Sequence, residues 1–462
     1  MSSDNTPEFL KDALKFGINL GLERMEMLDK LLGNPEENLQ VIHLAGTNGK
    51  GSTAAYISSI MAASGKKVGV YTSPFLERFS ERIRIIDGKD GLLQLEKDET
   101  VGEIPLEDLD RLSSIVEEAS KKMDDMGCEH PTEFELVTAI AYLWFKEQQV
   151  DIAVLETGLG GRLDSTNVIK NPLCTVITAM GLDHTDRLGA TIDLIAKEKA
   201  GIFKNECPAV VYEPYEMILD EDYQRVVKNV FTECAIEKNV PLQFVRAGNK
   251  KPVYTEDGKM QFYIDGDETL YMTRLLGDHQ KHNAAVAIAC ARSIDGVTQD
   301  DIVFGIEHAN WKGRAECLAL SPVVVMDGGH NSQGAQSLSL VLNDALAGTL
   351  KDVNWRVVMG VMKDKDVSEM INKLHEGGVK FSDVRCVRVS NSRTMDPEEL
   401  SDKIKLVYNN LVKISSYEDA CEAVVAAYND SVNDGMPLLI TGSLYLVGEV
   451  RGVLKAQIRD EE

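Results

Sequence analysis

The chain has 462 residues, 44% hydrophobic and 27% charged, a globular composition long enough for two cores. Its net charge of −25 repels nucleic acid and anionic membrane surfaces, so neither is expected as a partner. Eight cysteines stand singly with no CxxC pair, no run approaches the ~18 apolar residues of a membrane span, and the polar start lacks a signal peptide's apolar core, so a cytoplasmic protein is expected.

Leu10, Leu14, Ile18, Leu22, Met25, Leu28 and Leu31 recur three and four residues apart, an amphipathic helix broken near residues 17–21. The apolar run 41–45 ends in Gly46-Thr47-Asn48-Gly49-Lys50-Gly51-Ser52, and a helical run over 53–64 follows. Strand, glycine loop and helix in that order make a phosphate site: the glycines turn the backbone tightly, the helix start adds partial positive charge, and Lys50 reaches a terminal phosphate. The general phosphate-loop pattern wants a hydroxyl directly after the lysine, where Gly51 stands, so a Mg²⁺-binding hydroxyl must come from elsewhere. Strand 67–72 supplies a candidate in Ser73 of Ser73-Pro74-Phe75. For Arg78, Arg82 and Arg84, which follow, a solvated surface and an active-site cation cluster stand equally open.

Residues 87–106 read as a mobile loop or hairpin and 106–126 as a charged amphipathic helix. Thr132 opens a helix running to Gln148, with Glu135 completing a capping box. The buried-type strand 150–155 delivers Glu156 at its end, a carboxylate for Mg²⁺ or an attacking group, with a capped or ion-paired glutamate as the plainer alternative. A second glycine loop, 158–167, holds Asp164. Strand 174–179 leads to Asp183 and His184, the histidine being a structural loop residue or a metal or proton ligand. Helix 191–203 carries Lys197 and Lys199, surface lysines by composition, and 207–275 reads as short strands and turns of an accessory sheet with few long helices. A helix rich in small residues begins at Gly277.

From 310 the pattern restarts: strand 323–326, loop Asp327-Gly328-Gly329-His330-Asn331, helix 333–346, strand 357–361 before Met362-Lys363-Asp364-Lys365-Asp366, and strand 438–441 before Gly442-Ser443. The expected fold is α/β: a P-loop-type parallel-sheet domain with a small accessory β-sheet over 1–309, then a smaller Rossmann-like domain over 310–462, with one site in the cleft between them.

In joint order, the stretches 21–25, 46–52, 72–75, 81–85, 155–164, 181–185, 198–202, 279–285, 311–316, 327–331 and 442–448 resemble the folylpolyglutamate synthase and dihydrofolate synthase family, a branch of the Mur ligase superfamily of ATP-dependent amide ligases. The resemblance covers nearly the whole chain and departs at Lys312, where relatives usually have Pro, and at Gly329, where Ala is common. It implies that Gly46, Thr47, Asn48, Gly49, Lys50, Gly51 and Ser52 hold the phosphates of ATP, and that Asn283, Arg314 and Asp327 touch the nucleotide. It implies Mg²⁺ at two sites, with Ser73, Glu156 and His184 as ligands and a carbamylated Lys199 supporting the second ion; a monovalent cation is a further expectation. Arg82, His330 and Ser443 match positions for the incoming glutamate, Asp164 a catalytic carboxylate, and Phe75 and Phe134 pterin contacts; Lys50, His184, Lys199 and His330 join Asp164 in catalysis. The implied enzyme is a monomer whose partners are small molecules: ATP, L-glutamate, and a folate or dihydropteroate. ATP would turn the carboxylate into an acyl phosphate, which the glutamate amine attacks. Two rivals stand beside this: a Mur-type cell-wall ligase, whose further N-terminal domain has no counterpart in the 40 residues before the phosphate strand, and a non-catalytic ATP-binding regulatory protein.

Overall fold

Five consecutive buried residues, Val41–Ala45, make β1 an interior strand, as an unbroken apolar run in a parallel sheet requires. The computed structural model describes residues 6–17, 19–214, 220–255, 258–344, 353–408 and 412–461. In it β1 joins β2 (Lys67–Tyr71), β3 (Ile83–Asp87), β4 (Ile152–Glu156), β5 (Cys174–Ile177), β6 (Ala209–Tyr212) and β7 (Leu242–Val245) in the order β3-β2-β4-β1-β5-β6-β7. Every pairing is parallel except that of β2 with β3. Side chains alternate along each strand, so Ile42, Leu44, Ile152 and Val154 enter one core while Val41, Ala153 and Leu155 enter the core on the opposite face. Helices Lys50–Ala63, Asp278–Arg292 and Gln299–His308 build the first core, and Leu106–Asp125 and Glu133–Glu147 the second.

A three-stranded antiparallel sheet of β8 (Val253–Tyr254), β9 (Met260–Phe262) and β10 (Tyr271–Thr273) follows. The second large sheet contains β11 (Glu316–Leu320), β12 (Val323–Asp327), β13 (Asn354–Met359), β14 (Lys380–Val387), β15 (Lys413–Tyr417) and β16 (Leu438–Thr441), ordered β11-β12-β16-β13-β14-β15. Only its edge pair β11–β12 is antiparallel. Among the described residues no helix is long and apolar enough to cross a membrane.

Several elements differ from expectation. Residues 88–97, read as loop, form the helix Gly88–Lys97, because Leu92 buries itself against the first core and tertiary packing outweighs two glycines. The stretch 207–275 contains a 17-residue helix, Glu221–Glu237, N-capped by Asp220 and anchored by Val227, Phe231 and Ala235 at four-residue spacing. The helix after the phosphate loop starts at Lys50 rather than 53, because Gly49 at φ 84° already turns the chain. The expected first helix splits into Glu8–Ala13 and Glu23–Leu31 around the predicted glycine break, and the Thr132 capping box is present. Ile18, and Ala345 and Leu346 of the expected helix 333–346, lie outside the described residues.

Helix Glu23–Leu31 buries Asp29, neither of whose carboxyl oxygens has a hydrogen-bond partner among the described residues; burial, reinforced by Glu36, pushes its carboxyl up to about 9.

The two large sheets are tied by charge. Arg451 of the last helix, Leu444–Glu461, is 1% exposed and donates to Glu77 at 2.8 Å, to Glu99 at 2.9 Å and to Glu316 at 2.6 Å. Lys312 lies 3.0 Å from Glu99, and Lys455 pairs with the same carboxylate. In the connecting segment Trp311 packs against the phosphate-loop helix: a Cβ added to Gly51 would stand 2.5 Å from its ring.

Candidate active site

The carboxyl ends of β1, β2, β4, β5 and β12 open onto one cavity of about 380 Å³ that also receives loops of the second sheet, the crevice where parallel α/β sheets bind ligands. Its floor is the phosphate loop. Gly46 turns away from β1 so close to Thr178 that a Cβ would stand 1.8 Å from that hydroxyl, and Asn283 lies against Gly49 in the same way at 2.6 Å. Lys50 curls back, its Nζ donating to the carbonyls of Gly46 at 3.2 Å and Thr47 at 3.4 Å and standing 4.0 Å from Glu156. Thr47, Asn48, Gly49, Lys50, Gly51 and Ser52 all line the cavity, as do Asn283, Arg314 and Asp327.

Lys199 is not the surface lysine its neighbours suggest. It is 4% exposed, donates to the Gly46 carbonyl at 2.7 Å, and is brought down to about 7 by burial and by Lys50. Lys197 is exposed. Glu156 is equally buried; burial lifts its carboxyl to about 7 although Lys50 and the Ser73 N–H at 3.4 Å favour the ionised form.

Ser73, Glu156 and His184 share the cavity wall. Among the described residues no group of three or more His, Cys, Asp or Glu side chains converges on a metal position. The donors present, one buried carboxylate, one hydroxyl and one imidazole, nevertheless suit Mg²⁺, which characteristically takes one or two protein carboxylates and completes its shell with phosphate oxygens and water. His184 is exposed, held at φ 50°, and lies 3.9 Å from Asp183.

From the second sheet, Asp327 ends β12 with its carboxylate accepting from the backbone of Ala315 at 2.9 Å and Gly329 at 2.7 Å. His330 hydrogen-bonds through Nδ1 with the Gly328 carbonyl at 3.2 Å, and burial, Lys365 and Arg314 bring its imidazole down to about 4. Ser443 lines the cavity but is already an N-cap, accepting from the N–H groups of Tyr445 at 3.0 Å and Leu446 at 3.3 Å.

Six expected residues stand off the cavity wall: Gly46 and Lys199, bonded to each other at the base of the phosphate loop, and Asp164, Arg82, Phe134 and Phe75. Asp164 lies beneath it, both oxygens taken by Leu159 and Thr166. Arg82 is paired with Glu133 between Phe79 and Phe134, 5.3 and 5.8 Å from the ring centres, and Phe134 packs on Gly158. Phe75 lines an adjoining second cavity that shares Ser73, Glu156 and Arg314 with the first. Arg78 and Arg84 share Glu103 in a structural ion cluster. Sequence reasoning missed Lys365, 3.6 Å from Asp183 across the cleft, and Gln333; only the position of Lys365 after a strand's carboxyl end signalled the former.

Residues 319–455 match the family model of the dihydrofolate synthetase C-terminal domain, and residues 111–291 that of the Mur ligase middle domain. The dihydrofolate synthase/folylpolyglutamate synthase of Bacillus subtilis is 34% identical over 460 residues, 96% of each chain. The chain belongs to the dihydrofolate synthase/folylpolyglutamate synthase family. The folylpolyglutamate synthase of Lacticaseibacillus casei is similar at 34% identity over 92% of each chain. That of Mycobacterium tuberculosis, solved with ADP and AMPPCP, superposes at a TM-score of 0.80 with 27% identity over 96% of this chain and 97% of that one. Membership of this family makes the chain an ATP-dependent carboxylate–amine ligase, and the cavity built around Lys50 is its candidate active site.

Proposed function

We propose that this cavity joins L-glutamate to the carboxylate of a folate at the expense of ATP, and that it also accepts dihydropteroate. The observation that carries the reading is the gathering of the half-buried Lys50 and the buried Glu156 and Lys199 around one phosphate loop, with Arg314, Asp327 and His330 brought to it from the second sheet. We divide the chain accordingly into an ATP-binding domain, 1–309, and a glutamate-ligase domain, 310–462, and place it in the cytoplasm, where its scattered cysteines fit a reducing compartment.

The reaction runs through transfer of the γ-phosphoryl group to the acceptor carboxylate, attack of the glutamate amine on the acyl phosphate, and loss of phosphate. Charge spreads over the phosphoryl oxygens during transfer, so Lys50 and the loop N–H groups act by position and field rather than by covalent chemistry. Ser73, Glu156 and His184 would hold Mg²⁺, which supplies charge neutralisation at the phosphates when bound. Lys199, brought to about 7, would present a neutral amine to carbon dioxide at working pH; N–C bond formation with loss of a nitrogen-bound proton to water would leave a carbamate anion beside Lys50, which would help hold a second Mg²⁺. His330 is neutral at pH 7, and with Nδ1–H donated to Gly328, Nε2 is left to accept a hydrogen bond from the incoming amine. Closing the cleft excludes water that would hydrolyse the acyl phosphate.

Phosphate release from Mg-ATP and glutamate, with dihydropteroate, with tetrahydrofolate and with no acceptor, tests this. Release with both acceptors is expected; release with one alone narrows the enzyme to that step; no stimulation by either overturns the folate reading.

A further inference from the structure

Asn48 sits inside the phosphate loop, yet the groups that hold its side chain belong to the opposite side of the cleft. Its Nδ2 donates to Gln333 Oε1 at 2.7 Å, and its Oδ1 accepts from Asn331 Nδ2 at 3.2 Å. Both ends of one amide are thus satisfied by two residues more than 280 positions away in sequence. Asn331 is itself fixed, its Oδ1 accepting from Gly334 N at 2.8 Å at the start of helix Ser332–Asp344. Gln333 also reaches the next loop of the first sheet: its Nε2 donates to the Met180 carbonyl at 3.4 Å, and a Cβ on Gly181 would stand 2.3 Å from its Oε1. The loops joined are therefore the phosphate loop, the loop that runs on to His184, and the loop that carries Asp327 and His330.

We propose that Asn331 and Gln333 are positioning residues that couple closure of the cleft to the shape of the phosphate loop through Asn48, so that phosphoryl transfer is licensed only when the second sheet has docked. The proposal rests on the ligase reading of the same cavity. The backbone of Asn48 is already committed to the first sheet, its N–H donating to Ala179 at 3.1 Å and its carbonyl accepting from Thr178 at 2.7 Å, which leaves the side-chain amide as the adjustable element. A contact formed only in the closed state adds to transition-state stabilisation and so appears in kcat rather than in ground-state binding.

A double-mutant cycle of Asn48→Ala and Gln333→Ala, read as kcat at saturating Mg-ATP and as KM for the folate, tests it. Each single change is expected to lower kcat roughly tenfold, the size of the one hydrogen bond that the two residues share, with KM for the folate unmoved. The double variant is expected to lose no more than Asn48→Ala alone. Additive losses, about a hundredfold in the double variant, overturn the proposal, because Gln333 then acts independently of Asn48. Asn331→Ser, which retains a helix-capping hydroxyl but cannot reach Asn48, provides a second reading: its kcat should fall with an unchanged melting temperature, and wild-type kcat in this variant also overturns the coupling. A wild-type enzyme without folate-dependent turnover brings down the ligase reading first; an active one with additive losses brings down this inference alone.

Discussion

Replacing Asp29 by Asn should stabilise the protein. The carboxyl is 1% exposed with both oxygens unpartnered, and burial lifts it from 3.8 to about 9. At neutral pH it is therefore protonated in the fold and ionised in the unfolded chain. The folded state binds the proton more tightly, so stability falls as pH rises from about 4 to about 9. Each pH step above the ordinary value costs about 1.4 kcal/mol, and the three steps or so from 3.8 to neutral pH amount to about 4 kcal/mol. Asparagine presents a neutral donor in nearly the same volume without that proton requirement, and Glu36 beside it remains. Urea unfolding of wild type and Asp29→Asn should show a gain of about 4 kcal/mol near pH 7 that vanishes towards pH 4. A variant no more stable than wild type near neutrality refutes the argument, since the buried carboxyl then has a partner that offsets its burial.

Lys50→Ala and Glu156→Gln should each abolish folate-dependent ATP turnover while leaving the unfolding transition cooperative; near-normal phosphate release by either removes the phosphate-loop and metal assignments. Because Lys199 is brought down to about 7, its neutral form grows as pH rises through 7, so a carbamate signal from ¹³C-bicarbonate and turnover should rise together and fade below. Lys199→Met with undiminished activity and no such signal would exclude the modification. Arg451→Ala strands Glu77, Glu99 and Glu316 around a vacated buried position and should cost about 3 kcal/mol or more in urea unfolding; an unchanged midpoint would show that Lys312 and Lys455 alone suffice.

Strand–loop–helix units were legible because glycines, one lysine and an unbroken apolar run have few other uses together. That Glu156 would face the cavity was readable because a carboxylate closing an all-buried strand has no solvent to face. Helix Gly88–Lys97 escaped because its local propensity is poor and its support comes from Leu92 packing on a distant helix. Helix Glu221–Glu237 was a misjudged period: Val227, Phe231 and Ala235 recur every four residues. Composition took Lys199 for a surface residue because a helix of eight residues rich in charge hides which side faces the core. Arg78 and Arg84 could not be told from Arg82 until the fold gave the first two a common glutamate and set the third between two aromatic rings. Gln333 left no trace in sequence, since nothing local distinguishes a glutamine near a helix start that reaches the loops of the other large sheet.

Trp311 gives the molecule an optical property of its own. Of the three tryptophans, Trp144 and Trp355 are sealed in separate cores at 4% and 3% exposure, whereas Trp311 is half-buried, its indole against Gly51 at the foot of the phosphate loop. Its surroundings are made by the helix that follows the phosphate loop and by the segment that leads into the second sheet. Emission from this single indole, isolated by replacing the two core tryptophans with phenylalanine, would therefore record the spacing of the two halves in real time, with no dye attached.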